Sequence, residues 1–94
     1  MPVLQRERYI HVTDDWYPCY PGHQVKLILG LYYYKRYYIK LMAWGMDDTG
    51  FEKVVYVDNI QDLYDIFYYL EAQFNSIPDN IDKNWFLING FRRF

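Results

Sequence analysis

The side chains whose chemistry could turn over a substrate are few in this 94-residue chain. His11, His23 and Cys19 are the candidate base and nucleophile, with Asp14 and Asp15 close by in sequence. A thiol nucleophile needs a base within hydrogen-bond reach and a third group to orient that base. Nothing in the spacing supplies either. Cys19 stands between Tyr17-Pro18 and Tyr20-Pro21, the setting of a packed or tolerated loop residue, and His23 follows Pro21-Gly22. A single cysteine makes no internal disulfide, and no Cys or His spacing matches a zinc site. The glycines at 22, 30, 45, 50 and 90 form no phosphate-cradling loop. The expectation is a non-enzymatic protein with no metal and no cofactor.

Contact chemistry is a different matter, because aromatic residues make up 22% of the chain, with 12 Tyr, 6 Phe and 3 Trp. Tyr and Trp combine a large apolar body with a polar handle, and they are enriched where proteins grip partners. Acidic residues offer a second kind of contact. Asp58, Asp62 and Asp65 recur at three- and four-residue intervals, which places them in a stripe along one side of a helix. Such a stripe is usually a solvated face, but carboxylates spaced along a small acidic protein also imitate a phosphate backbone.

The elements that position these groups follow from periodicity. Arg6 to Val12 alternates loosely and reads as an edge strand, and the Pro- and aromatic-rich stretch from Asp14 to Gly22 reads as an extended loop. From Val25 the period is two, with Val25, Leu27, Leu29 and Leu31 on one face; Tyr37, Ile39, Leu41 and Ala43 repeat it. Paired residues share a face, so a loop with an odd number of residues sets Leu31 opposite Ile39, Leu29 opposite Leu41 and Leu27 opposite Ala43. The run Asp47-Asp48-Thr49-Gly50-Phe51 reads as a three-residue hairpin loop with Gly50 at positive φ. Asp47 would then face Phe51, pairing Ala43 with Val55 and Leu41 with Val57.

After Asp58-Asn59 the apolar residues Ile60, Leu63, Phe67, Leu70 and Phe74 recur at helical spacing, with Asp58 or Asn59 as the cap and Asn75-Ser76-Ile77-Pro78 as the stop. The last segment admits two readings. Asn89-Gly90 suits a hairpin turn, whereas Asp82 as cap, Ile81 stapling Phe86 and Gly90 just beyond the end suit a short helix, the preferred reading. The expected fold is a single α+β domain. It comprises an extended segment over 1–23, antiparallel strands over 24–58, one long helix over 59–75 packed on one face of a three- or four-stranded sheet, and a C-terminal segment over 76–94.

The same registers place Ile28, Tyr32, Tyr38, Met42, Trp44, Val54 and Tyr56 on the opposite face, with Lys26, Lys40 and Asp58 among them. That face is too apolar to stand in water as a monomer's surface. Either the loop carrying Trp16, Tyr17 and Tyr20 folds across it, or its tyrosines are ordinary amphipathic strand formers, or it meets a partner or a second copy of the chain. Tyr32, Tyr34, Tyr38, Trp44, Tyr56 and Lys40 are the candidate partner-binding residues, and Asp58, Asp62 and Asp65 the alternative acidic surface. Aromatics interleaved with Lys26, Lys35, Arg36 and Lys40 also suit single-stranded nucleic acid, whose bases stack on aromatic rings. Against that stands the charge: a net −2 and a pI near 5.5 give no basic footprint.

Phe, Tyr, Met, Ile, Asn and Lys together number 39, against 16 for Gly, Ala, Arg and Pro, the bias that AT-rich codons produce in a low-GC bacterium or its phage. No signal peptide or membrane span is legible. The functional expectation is a small cytosolic binding module, of the kind a phage uses to occupy a surface of a host protein, a nucleic-acid-binding protein being one such host target. The alternative is single-stranded nucleic-acid binding through the Tyr/Lys hairpin.

Overall fold

The computed structural model describes residues 2–13, 23–33, 35–45 and 49–94. Its strands are β1 (Pro2–Val12), β2 (His23–Tyr33), β3 (Tyr37–Trp44), β4 (Gly50–Val57), β5 (Asn80–Ile81) and β6 (Arg92–Arg93). Two helices complete it, α1 (Ile60–Asn75) before β5 and α2 (Lys83–Ile88) after it. The strands form one sheet in the order β5-β1-β2-β3-β4-β6, antiparallel except for the parallel pairing of β1 with β5. It curls into a half-barrel. This overturns the expected three- or four-stranded antiparallel sheet with one long helix packed on it.

Three features of the chain account for the difference. The first strand is 11 residues long and pairs with β2 from Pro2 to Val12; its alternation is masked in the sequence because Arg6 and Arg8 share the phase of the buried Ile10 and Val12. At this rim of the concave side Arg6 bonds Glu71 at 2.6 Å, while Arg8 donates to the Phe74 carbonyl at 2.8 Å and pairs with Asp79. The strands β5 and β6 are two residues each, too short to show any period. The long helix also buries less than its stripe promised. Leu63, Phe67 and Phe74 are buried, but Ile60 is exposed and Leu70 only partly covered. Much of the remaining cover comes from Ile77, Ile81, Phe86 and Phe91, all in the same core cluster as the strands.

The β2–β3 register is the expected one: Leu31 faces Ile39, Leu29 faces Leu41 and Leu27 faces Ala43. The β3–β4 register is not. Ala43 pairs with Phe51 and Ile39 with Val55, a shift of four residues from the expected pairing. An even shift leaves each side chain on its face, so the two-face assignment survives the error. The observed register seats Phe51 in the core, fully buried and stacked on Phe86 at 5.1 Å. Burying a phenylalanine stabilises by about 1.5–3 kcal/mol, which the expected register would have forgone by setting Phe51 opposite Asp47. That aspartate lies outside the described residues.

Gly50 is not at a positive φ; among the described glycines only Gly90 is, at 88°. Gly50 lies in β4 opposite Trp44, and its carbonyl accepts from the Phe94 N–H at 3.2 Å. The Phe94 ring occupies the space a Cβ would need. Close approach, rather than turn geometry, is what glycine permits here.

The helix ends obey local rules. Asn59 caps α1, its side chain accepting from the Asp62 N–H at 2.9 Å, and Asp82 caps α2 by accepting from Trp85 N–H at 3.2 Å. Residues 83–88 are therefore helix, not hairpin. Beyond α2 the Phe91 N–H donates to the Phe86 carbonyl at 2.9 Å and the Gly90 N–H to that of Leu87 at 3.5 Å. With Gly90 left-handed and Phe91 edge-on to Phe86 at 5.3 Å, this is a complete Schellman motif. It turns the chain back so that β6 pairs with β4.

Candidate functional site

The helices cover the concave face, leaving the other to be accounted for. Because residues facing each other across strands share a side, the registers of β1 to β4 build cross-strand rows on the convex face. At one end Tyr32 faces Tyr38, which faces Tyr56. In the middle lie Ile28, Met42, Gly30, Lys40 and Val54. Toward the other end Tyr9, Lys26, Trp44 and Gly50 succeed one another.

The tyrosine row is a continuous run of ring contacts. Tyr32 and Tyr38 lie with ring centroids 4.9 Å apart and planes 10° from parallel, and Tyr56 follows at 5.9 Å from Tyr38, tilted by 48°. Arg36 closes the row with its guanidinium carbon 4.3 Å from the Tyr56 centroid, within cation–π range. At the opposite end Gln5 donates to the Tyr32 hydroxyl at 3.3 Å. The row is also anchored beneath, because the Tyr32 ring lies over Gly30, where an added Cβ would come within 2.5 Å of it. Tyr38 therefore has a ring on each side. Tyr56 is the outermost of the three, 57% exposed.

Trp44 is on the same face but apart from this row. It sits six residues along β3 from Tyr38, roughly 20 Å at about 3.4 Å per residue, and packs edge-on against Phe94 at 5.4 Å. Tyr9 stands near it, 60% exposed. Between the two lies Lys26, which bonds Glu7 at 3.1 Å; the hydrogen bond and the charge of Glu7 hold its amine above the usual lysine pKa. Lys40 is half-buried beside Tyr38 on β3.

The structure thus brings Tyr32, Tyr38 and Tyr56 into contact, places Lys40 and Trp44 on the same face, and describes no position for Tyr34. Trp16, Tyr17 and Tyr20, the expected cover, lie outside the described residues. Gln5, Tyr9 and Phe94 belong to the face and escaped the sequence reading. For Tyr9 a signal existed, its phase with Gln5 and Glu7 in β1; for Phe94, which arrives through the Schellman turn and β6, there was none. Tyr33 and Tyr37 fall on the concave side and pack against the core. A hydrogen bond to Tyr64 raises the pKa of Tyr33 above the usual tyrosine value.

The acidic alternative is arranged otherwise. Asp58, Asp62 and Asp65 are all exposed, but Asp62 is tied into the helix cap, its carboxylate accepting from the Asn59 amide at 3.0 Å. It is part of the device that starts α1. Among the catalytic candidates, His11 is an exposed residue of β1 whose backbone N–H donates to the Asp79 carbonyl at 2.8 Å, while Cys19, Asp14 and Asp15 lie outside the described residues. No three His, Cys, Asp or Glu side chains gather into a metal site among the described residues. Comparison with protein-family models, curated proteins and solved structures finds no match, so the functional reading rests on geometry.

Proposed function

We propose that the chain is a non-enzymatic binding module that docks another protein on its convex face, through the Tyr32–Tyr38–Tyr56 row and the flanking Lys40. The supporting observation is the mode of stacking. A base-stacking platform presents ring faces to its ligand. Here one face of Tyr38 is taken by the stacked Tyr32, the tilted Tyr56 crowds its other side, and Arg36 lies over Tyr56. What remains for a partner is ring edges and hydroxyls, prearranged on a sheet, which suits hydrogen bonding and edge contact with a protein surface.

In its finer form the proposal is a small, cytosolic, phage-type inhibitor that covers a surface of a host protein, with a nucleic-acid-binding host protein among its targets. The compositional bias and the absence of catalytic spacing support that form. Among the described residues no helix is long and apolar enough to cross a membrane.

The test is affinity isolation from a low-GC bacterial lysate, followed by titration of the isolated partner with the parent protein and with Tyr38→Ala. A loss of about 2 kcal/mol, the size of a hot-spot truncation, is expected with the fold intact. Retention on single-stranded DNA that falls steeply with salt, with no protein partner, would instead establish the nucleic-acid alternative. Self-association through this face would appear as a dimer in sedimentation that Tyr38→Ala dissociates.

A further inference from the structure

The concave side carries a second feature, independent of the tyrosine row. Beside α1 the packing of the concave side leaves a groove of about 390 Å³, within the range of small-ligand sites. Its floor is Ile39, Leu41 and Val55, and its walls include Leu70, Phe74 and Trp85. It follows the end of α1 from Tyr69 to the C-cap residue Ser76, roughly 10 Å at 1.5 Å per residue.

The lining is mostly apolar, with Gln73, Ser76 and Asn89 among its polar members, and Lys53 is its one charged residue. Along the concave face β4 reads Phe51, Lys53, Val55, Val57, so Lys53 occupies a position where the pattern calls for an apolar side chain, opposite Leu41. A charged residue in core phase is an error of patterning unless it has a use. Lys53 is half-buried, donates to the Asn89 carbonyl at 3.4 Å, and forms no ion pair with any acid among the described residues. An ammonium has three donors, and this one shares its groove with no other cation in the lining.

We infer that the concave groove binds an elongated apolar monocarboxylate, such as a medium-chain fatty acid, with its chain between α1 and the sheet and its carboxylate on Lys53. The single unpaired charge selects a monoanion. A phosphate would call for further donors, and the lining offers no second cation and no helix N-terminus. A cationic amphiphile with the same chain would set its head group against Lys53 and be rejected.

The test is an NMR titration of the parent protein with decanoate, decanol and decyltrimethylammonium, which share a tail and differ in charge. Decanoate is expected to shift the Trp85 indole and the Leu41 and Val55 amides, and to bind at least tenfold more tightly than decyltrimethylammonium. In Lys53→Met decanoate should weaken at least tenfold while decanol is unchanged. Equal binding of the anion and the cation, an unchanged decanoate affinity in Lys53→Met, shifts confined to Tyr32, Tyr38 and Tyr56, or no binding at millimolar decanoate would each overturn the inference. The head-group series needs no variant, so the test stands even if Lys53→Met fails to fold. Its outcome is also separate from that of the convex face, which shares none of these residues.

Discussion

The two faces of this sheet are both rich in apolar side chains, yet they are held in different ways. On the concave side Leu27, Leu29, Leu31 and Phe51 are fully buried, in one core cluster with Leu63, Phe67 and Phe86 from the helices. On the convex side Tyr32, Tyr38 and Tyr56 are supported sideways, by each other and by Arg36 and Gln5. The first arrangement confers stability through removal from water. The second confers order on side chains that stay partly in water, and order before binding lowers the entropic cost of forming an interface. Substitutions should therefore separate: concave ones unfold, convex ones leave the fold and weaken binding.

The largest effect is expected at the aromatic cluster under the C-terminal cover. Phe51→Ala removes a fully buried ring stacked on Phe86 and should cost about 3–5 kcal/mol, read as a fall in the denaturant midpoint. That position also tests the observed register, since a Phe51 facing Asp47 would tolerate the change. Next is Gly90→Ala, which forces a Cβ into a left-handed conformation at φ 88°. The strain should cost about 1–3 kcal/mol by the same measurement. Gly50→Ala, by contrast, meets the movable ring of Phe94; it should displace that ring from Trp44 and change the tryptophan fluorescence with little loss of stability.

These positions also show what was legible in the sequence. The β2–β3 hairpin was readable because its pairing is local and its alternation clean. The β3–β4 pairing was misread because Gly50 invited a turn, when its role is set by Phe94, a residue 44 positions on that only the folded chain brings near. In β1 the arginines at 6 and 8 spoiled the pattern, since rim positions let a charged side chain occupy the core phase and reach Glu71 and Asp79. Within β2, β3 and β4 the membership of the convex face was legible from parity alone, because the register error was even. Its division into a tyrosine row and a distant Trp44 was not, because parity says nothing of distance along a strand.

Smaller effects sharpen the convex side. Tyr38→Ala should cost about 0.5–1.5 kcal/mol of stability through its lost ring contacts, well below the Phe51 value. Arg36→Ala should cost about 0.5–1 kcal/mol at this exposed site. The smallest concerns Lys26, whose pKa is raised above 10.5 by Glu7. A raised folded-state value means that the pair's contribution is fully present below about pH 10.4, the unfolded lysine value, and is lost as pH rises through the folded one. Glu7→Gln should lower the Lys26 titration midpoint toward the unfolded value without altering stability at neutral pH measurably, since exposed pairs contribute little.

The most direct test of the central claim compares two variant sets against the isolated partner by calorimetric titration: Tyr38→Ala with Tyr56→Ala, and Asp65→Asn with Asp58→Asn. The convex face predicts that the tyrosine variants lose about 2 kcal/mol or more each, roughly thirtyfold in affinity, while staying folded with melting temperatures lowered by no more than about 10 °C, and that the aspartate variants bind as the parent does. Undiminished binding by both tyrosine variants, with loss confined to the aspartate set, would contradict the account and assign recognition to the acidic stripe.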